Sequence, residues 1–354
     1  MTNDTSYMQK TLDVSVLMLF HARPDHFSKV WAEVRKARPA RLFLYQDGPR
    51  EGKNDMPGIL ACRSLVADEN IDWQCEVHRN YQERNYGCDP SGFMSQRWAF
   101  SLTDKCIVLE DDVVPSQSFF TFCKEMLDRY ENDERITMVA GFNVSKPSRN
   151  DSVNSDAPSY FFTRAFSIWG WASWARVVNN WDEHYDWLDS PSDVEKIERM
   201  VEKHHLRKDM LPMCRAHKAQ GKAFYETIFW AYKTLHEGLA IMPARNMVNN
   251  LGNEAEESTH YAGTLKCMPR DLRMQFTMRR FEIDFPLRHP SEVKEDTGYK
   301  DRLYRRNAWG HPWIKVMHSL EELMLNLRYG NFRFIKDAMA NRARILIRQL
   351  ASPE

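Results

Sequence analysis

Residues 106–115 read Cys106-Ile-Val-Leu-Glu-Asp-Asp-Val-Val-Pro115, an apolar run that ends in three consecutive acids. The run Lys105–Leu109 has the composition of a buried strand, and Pro115 marks a turn after it. Neighbouring carboxylates repel one another unless a cation lies among them, and hard oxygen ligands suit Mg²⁺ or Mn²⁺. We therefore predict a buried strand with a cation-binding acidic end. The alternative is a charged turn in which an Asp caps the next helix.

The segments around this strand alternate between two kinds of apolar periodicity. Short apolar runs predict strands at 13–20, 41–45, 72–78, 136–140 and 240–243; helical spacing predicts helices from Pro24 and at 93–102, 118–130, 194–220 and 225–236. This alternation predicts an α/β fold with a mainly parallel sheet, which binds ligands beyond the carboxyl ends of its strands. Arg23, Asp47 and the acidic triplet (Glu110, Asp111 and Asp112) each follow a strand, so we expect them on one sheet edge.

The overall composition excludes several classes of protein. Lys plus Arg equals Asp plus Glu, at 49 each. The chain therefore lacks the excess of positive charge that would indicate nucleic acid as a partner. The apolar run 16–20 is too short for a signal peptide or a membrane span. The seven cysteines form no Cys-x-x-Cys pair, which indicates neither a zinc site nor a disulfide framework. Together these features predict a cytoplasmic protein.

Two motifs resemble a known family. Val108-Leu-Glu-Asp-Asp-Val-Val-Pro-Ser-Gln-Ser-Phe-Phe120 is similar to the Asp-x-Asp motif of nucleotide-sugar glycosyltransferases with the GT-A (Rossmann-like) fold. The likeness is to the inverting Golgi alpha-mannosyl beta-1,2-N-acetylglucosaminyltransferase. It extends to bacterial haemolytic-protein-like glycosyltransferases, whose Trp-Gly-Trp-Ala-x-Trp segment matches Trp169-Gly-Trp-Ala-Ser-Trp174. The resemblance covers about residues 14–260 and implies a GT-A domain with a mixed, mainly parallel sheet.

The resemblance implies roles for the residues after the first, second and fourth strands. Asp112 would bind the Mn²⁺ or Mg²⁺ ion, and Glu110 and Asp111 would hold ribose or sugar hydroxyls. Arg23, in His-Ala-Arg-Pro, would contact the nucleotide, and Asp47, in Gln-Asp, would pair with the uracil imide. The alternatives are a surface charge at a helix start for Arg23 and a plain turn residue for Asp47.

Three further positions follow from the same resemblance. Arg84, in Glu-Arg-Asn-Tyr-Gly, would balance phosphate charge, unless this stretch is only a loop. Glu226 lies where the bacterial group carries an Asp, so it would be the base that deprotonates the acceptor hydroxyl. It could instead be an acidic residue at a helix start. His260, in Ser-Thr-His, would complete the metal shell or bond a phosphate oxygen, with a surface loop His as the alternative.

The tryptophan segment allows two interpretations. Aromatic faces stack on sugar rings, and Gly170 would let the backbone approach a substrate. Most of the three indoles are expected to pack between a helix and the sheet, with Trp171 as the candidate for a ligand contact.

These features predict a metal-dependent, inverting sugar transfer from a nucleotide sugar, preferably a UDP-sugar, to a glycan or lipid-linked acceptor. A sugar-phosphate nucleotidyltransferase is an alternative, although His-Ala-Arg-Pro is not the Gly-rich loop with Lys that usually opens those enzymes. A non-catalytic sugar-binding protein of the same fold is the third possibility.

The C-terminal region differs in character from the rest of the chain. We predict a glycosyltransferase domain over 1–303 and a basic helical extension over 304–354. Residues 311–350 carry seven Lys or Arg and three Asp or Glu, interleaved with apolar residues at helical spacing. The pattern predicts two amphipathic helices that separate near Gly330. They would pack on the catalytic domain, form a homodimer, or contact the inner face of a membrane peripherally.

Overall fold

The computed structural model describes residues 11–144, 157–252, 265–338 and 340. The chain divides into two compact units, Met1–Asn250 with Arg279–Lys300, and Leu251–Met278 with Asp301–Glu354. The second unit therefore includes residues 251–278 in addition to C-terminal residues. The domain boundary placed between 303 and 304 from the sequence stays a prediction.

The first unit is built on an eight-stranded sheet with the strand order β3-β2-β1-β4-β8-β6-β9-β7, and β5 pairs separately with β10. Six strands of the large sheet run in one direction; β7 and β8 run in the other. The ten strands are β1 Leu12–Phe20, β2 Pro39–Gln46, β3 Glu76–Tyr81, β4 Lys105–Glu110, β5 Val113–Pro115, β6 Ile136–Ala140, β7 Tyr160–Thr163, β8 Trp171–Trp174, β9 Leu239–Pro243 and β10 Val248–Asn250.

Helices connect and flank these strands. Those within the described residues are α1 Pro24–Ala37, α2 Met56–Leu65, α3 Cys88–Phe100, α4 Gln117–Arg129, α5 Ala175–Val178, α6 Pro191–Lys203, α7 Met210–Gln220, α8 Tyr225–Leu235, α9 Arg270–Thr277, α10 Thr297–Arg306 and α11 Pro312–Arg328, with a further helical stretch at 332–338. The predicted fold class, a mainly parallel α/β sheet flanked by helices with a C-terminal helical region, is confirmed.

Apolar burial explains the central strands. β1, β2 and β4 lie side by side and in parallel, and their apolar residues are almost wholly buried. Strands that are covered on both faces read as continuous apolar runs, and this is the pattern from which they were predicted.

Two boundaries differ from the sequence prediction. Trp73 was assigned to a strand, but its indole donates a hydrogen bond to the carbonyl of Pro39 at 2.8 Å and β3 begins only at Glu76. The predicted helix 194–220 is two helices, α6 and α7. The helical conformation is interrupted between them, where His205 has a φ of 48°.

The tryptophan segment forms a strand that was not predicted. β8 lies between β4 and β6 and runs antiparallel to both. Trp174 is buried, and its indole donates a hydrogen bond to the carbonyl of Leu127 on α4 at 3.0 Å. The segment is thus part of the sheet core.

The second unit contains α9, α11 and the stretch 332–338. His318 lies 4.0 Å from the carboxylate of Asp271, and Glu321 accepts a hydrogen bond from the backbone N–H of Arg270 at 3.1 Å. α11 ends before Gly330, whose φ of 67° interrupts the helix. The predicted pair of helices that separate near Gly330 is therefore present.

Lys233 on α8 provides a test of the packing. Its ammonium is buried and donates hydrogen bonds to the carbonyls of Arg164 at 2.8 Å and Gly238 at 3.0 Å. Burial, and then the charge of Arg164, lowers the pKa of Lys233 from 10.5 to about 7. Between these values the unfolded chain binds one more proton than the folded protein, so stability should rise with pH.

We expect Lys233→Met to remove this contribution, so that the free energy of unfolding of the variant rises less steeply between pH 7 and 9 than that of the wild type. Urea unfolding at the two pH values measures it. Lys208→Met, at an exposed position, is the control and should keep the wild-type slope. A wild-type slope in Lys233→Met would contradict the lowered pKa.

Candidate functional site

Three predicted site segments meet at one edge of the sheet. Leu19 in β1 lies beside Glu110 in β4, and Phe20 lies beside Gln46 in β2. Because these strands are parallel, the residues that follow them emerge at the same edge. Arg23, Asp47 and the acidic triplet all lie just beyond these strand ends.

Arg23 is the positive partner of the triplet. Its guanidinium donates hydrogen bonds to both carboxylate oxygens of Asp111, one of them from Nε at 3.3 Å, and from Nη2 to Asp112 at 3.0 Å. Burial opposes the charge of Arg23, but the two carboxylates outweigh it and raise its pKa. The structure therefore brings together Arg23, Asp111 and Asp112, which the sequence had assigned to one site.

Asp112 is only partly satisfied by Arg23. Its Oδ2 accepts the hydrogen bond from Arg23, whereas its Oδ1 is buried and has no hydrogen-bond partner among the described residues. Burial, and then the charge of Asp111, raise the pKa of Asp112. A buried carboxylate oxygen without a donor costs free energy, which a nearby cation would offset.

Glu110 is held by a residue from a distant part of the chain. The hydroxyl of Tyr225, at the first position of α8, donates to Glu110 Oε1 at 2.7 Å. Burial, and then the charge of Asp112, raise the pKa of Glu110 to about 8. The Tyr225 ring lies so close to Gly92 that a Cβ there would be 2.7 Å from it, so only glycine fits at this contact. Tyr225 was not singled out from the sequence.

His26 is a second residue that the sequence analysis missed. It lies in the first turn of α1, and its charge acts to lower the pKa of Asp112, against burial and the charge of Asp111, which raise it. Its Nε2 is buried, and none of the residues that the structure describes forms a hydrogen bond with it. A conspicuous His three residues after Arg23 was the only available signal, and helical geometry alone does not indicate which way it faces.

The donor chemistry of the site fits a divalent cation. Asp112 Oδ1 is a buried carboxylate oxygen that no donor of the described residues reaches, and the neighbouring acids have oxygen ligands of the kind that Mg²⁺ and Mn²⁺ prefer. Over residues 11–144, 157–252 and 265–338, no group of three His, Cys, Asp or Glu forms a ready-made metal shell. A cation bound at Asp112 would thus need further ligands besides the described His, Cys, Asp and Glu side chains.

Asp47 holds a loop in place. Its carboxylate accepts hydrogen bonds from the backbone N–H groups of Gly48, Tyr86 and Gly87 and from the Asn85 amide, at 2.9 to 3.0 Å. These donors take up the acceptor positions of the carboxylate. Contact with a nucleobase would therefore have to replace one of them.

Arg84 lies in the same loop and is exposed. Its guanidinium carbon is 4.7 Å from the centre of the Tyr86 ring. The loop approaches β2 closely, since a Cβ on Gly48 would lie 2.5 Å from the backbone of Arg84. Asp47 and Gly48 thus position Arg84 beside the sheet edge.

Glu226 lies next to Tyr225 in the first turn of α8, and is exposed whereas Tyr225 is buried. The hydrogen bond from Tyr225 to Glu110 brings this helix start against the acidic triplet. Two other acids, which follow Trp181 in the sequence, have partners of their own. Asp182 accepts hydrogen bonds from the backbone of His184 and Trp187, and Glu183 pairs with His184 at 3.1 Å.

Trp171, the candidate for a ligand contact, is instead buried in the core of the sheet. It is only 1% exposed because β8 is an interior strand, and its ring stacks on Phe229 and Trp181. Gly170 is required by packing, since a Cβ there would lie 2.9 Å from Val248. Trp169 is the half-exposed member of the segment, with its ring against Phe142 at 4.7 Å. The expectation that most of the indoles pack in the core is confirmed.

The predicted metal ligand His260 lies outside the described residues. The same applies to Ser258 and Thr259, which completed its motif. The assignment of His260 stays a prediction.

No protein-family model and no curated protein matches this sequence. Among solved structures, mouse xyloside xylosyltransferase 1 in its apo form aligns at a TM-score of 0.34 and 12% identity, over 65% of this chain and 84% of that one. A UDP-glucose pyrophosphorylase complexed with UDP-glucose aligns at 0.28 and 8%, over 48% and 78%. A 4-diphosphocytidyl-2C-methyl-D-erythritol synthase from Anaerococcus prevotii aligns at 0.28 and 8%, over 50% and 75%. These likenesses are too weak to carry an argument about activity.

Proposed function

We propose that this protein is a glycosyltransferase that moves a sugar from a nucleotide-sugar donor, preferably a UDP-sugar, to a glycan or lipid-linked acceptor. The observation that carries the proposal is Asp112 Oδ1, which is buried without a hydrogen-bond partner in the described part of the chain, in a cluster of three carboxylates at the carboxyl end of β4. A carboxylate cluster of this kind, at the ligand-binding edge of a parallel sheet, is suited to bind a cation that in turn binds a diphosphate.

Asp112 would hold Mn²⁺ or Mg²⁺ through its unpaired oxygen. When bound, such an ion offsets the negative charge that accumulates on the leaving nucleoside diphosphate. Arg23, fixed by Asp111 and Asp112, and Arg84, on its loop, supply positive charge for the donor phosphates. Glu110 has one oxygen bonded to Tyr225, and its other oxygen is available in this proposal for a sugar or ribose hydroxyl.

Glu226 is proposed as the base for an inverting displacement. It takes the proton from the acceptor hydroxyl while the hydroxyl oxygen forms a bond to the anomeric carbon. The bond from that carbon to the diphosphate oxygen breaks, and the electron pair leaves with the diphosphate. The position of Glu226 beside Tyr225, which contacts the triplet, supports this role.

Incubation with a panel of nucleotide sugars and Mn²⁺ tests the function through release of a nucleoside diphosphate. Release that requires an acceptor supports glycosyl transfer. Formation of pyrophosphate from a sugar phosphate and a nucleoside triphosphate would instead identify a sugar-phosphate nucleotidyltransferase. Donor binding without any turnover would indicate a sugar-binding protein.

Tyr225→Phe tests whether Glu110 must be held in place. We expect donor affinity to fall about 10-fold to 100-fold, because a hydrogen bond to a carboxylate contributes about 1.5–3 kcal/mol. Isothermal titration calorimetry with UDP and Mn²⁺ measures the change. Tyr232→Phe, seven residues further along α8, is the matched control, since the Tyr232 hydroxyl donates a hydrogen bond to the carbonyl of Arg176 at 3.5 Å. Equal affinities of the two variants for UDP would show that Tyr225 does not contribute to donor binding.

A further inference from the structure

One side of α11 is an exposed apolar face. Between 42% and 81% of the surface of each of its members is accessible to solvent. At 3.6 residues per turn these side chains fall within about 120° of the helix circumference, and no charged residue lies among them. The α11 apolar face consists of Trp313, Val316, Met317, Leu320, Leu323, Met324 and Leu327.

The face is not needed for packing within its own unit. α11 contacts the region of α9 through other residues, His318 beside Asp271 and Glu321 at the backbone of Arg270. The apolar face extends over about four turns, and it borders an apolar groove of about 570 Å³ lined by Phe334 and Ile335 of the stretch 332–338. Soluble monomeric proteins rarely expose contiguous apolar surface of this extent, so the face indicates a binding partner.

The charges around the face indicate what that partner is. Among the described residues 311–338, the exposed charged side chains are four basic ones, Lys315, Arg328, Arg333 and Lys336, and one acidic one, Asp337. The other two acids, Glu321 and Glu322, are half-buried, and Glu321 accepts a hydrogen bond from the backbone N–H of Arg270. Arg328 borders the face, and Arg333 and Lys336 are exposed on the following helical stretch.

This excess distinguishes two occupants of the face. A second copy of the chain would bring the same positive charge to a symmetric contact, and the two would repel. An anionic lipid surface supplies the opposite charge, and it attracts basic residues near an amphipathic helix. Trp313 at the start of α11, and Tyr329 and Phe332 just after it, are exposed, and aromatic side chains favour the membrane–water boundary.

We propose that the α11 apolar face docks on an anionic membrane surface. The helix would lie in the plane of the lipid headgroups: within the described residues, no helix is long and apolar enough to cross a bilayer. This attachment goes beyond the proposed transfer reaction and does not depend on it. For a transferase with a lipid-linked acceptor, it would hold the enzyme where that acceptor is presented.

Flotation of the full-length protein with vesicles tests the proposal. We expect recovery with phosphatidylglycerol-containing vesicles at low salt, weaker recovery at high salt, and little recovery with phosphatidylcholine alone. The triple variant Met317→Ser, Leu320→Ser and Met324→Ser should lower the partition coefficient roughly 100-fold or more, because it removes large apolar side chains from the buried face. The matched control replaces Met56, Leu60 and Leu102, exposed apolar residues of the first unit, with Ser and should bind as the wild type does.

A second variant tests the charge separately. Arg333→Gln with Lys336→Gln leaves the apolar face intact and should weaken binding to anionic vesicles by about fivefold for each residue. Equal recovery of wild type and the Met317/Leu320/Met324 variant would overturn the proposal. So would a dimer in solution that this variant dissociates, without vesicle binding by the wild type, because the occupant would then be a second copy.

Discussion

Asp112→Asn is expected to abolish the Mn²⁺ dependence of donor binding and to lower turnover about 10³-fold. Asp112 carries the buried oxygen that has no donor within the described part of the chain, and the amide of Asn cannot supply the same negative charge to a cation. A cation that stabilises charge on the leaving group contributes several kcal/mol, and each 1.36 kcal/mol corresponds to a factor of ten in rate. Calorimetry with UDP, in Mn²⁺ and in chelator, measures the binding part.

The same variant has a second expected effect, on stability. Burial and Asp111 raise the pKa of Asp112, so its ionised form is costly in the folded protein without metal. In chelator, Asp112→Asn should therefore melt at a temperature no lower than the wild type, and Mn²⁺ should stabilise only the wild type. Asp133→Asn is the control, because Asp133 pairs with Arg135 and not with the triplet. Unchanged Mn²⁺ dependence in Asp112→Asn would show that the cation binds elsewhere or is not used.

Glu226→Gln is expected to bind the donor with wild-type affinity and to transfer sugar about 10²–10⁴-fold more slowly. The amide keeps the size of the side chain but cannot accept the acceptor proton, and general-base catalysis contributes this range. Single-turnover measurements with saturating donor isolate the chemical step. Donor affinity, measured separately, shows whether the site is intact.

Glu183→Gln is the matched control, since Glu183 is an exposed Glu that pairs with His184 at 3.1 Å. It should leave transfer unchanged. Asp182→Asn would instead lower thermal stability, because Asp182 caps the turn at Trp187 through a backbone hydrogen bond at 3.0 Å. If Glu226→Gln kept near-wild-type turnover and one of these two variants lost sugar transfer, the residue replaced in that variant would be the base.

Local sequence patterns determined the elements that carry the site. The apolar run before Glu110 specifies a buried strand whatever surrounds it, and the acids after it must emerge at the strand end. The same holds for Asp47 after β2 and for the two helices on either side of Gly330. In each case the signal lies within about ten residues, so the side-chain period of a strand or helix is sufficient to predict it.

Tertiary structure decided which of these residues meet and what each side chain can still bind. Arg23 and Asp111 are 88 residues apart, and Tyr225 and Glu110 are 115 apart, so no local pattern could pair them. Trp171 is buried because β8 inserts between β4 and β6, a choice of strand neighbours that the segment itself does not encode. The sequence predicted the amphipathic character of α11, but only the packing of Glu321 and His318 on the α9 region determined that its apolar face is left exposed. The period of a chain segment sets which side chains share a face, whereas burial and pairing depend on which distant segment covers that face.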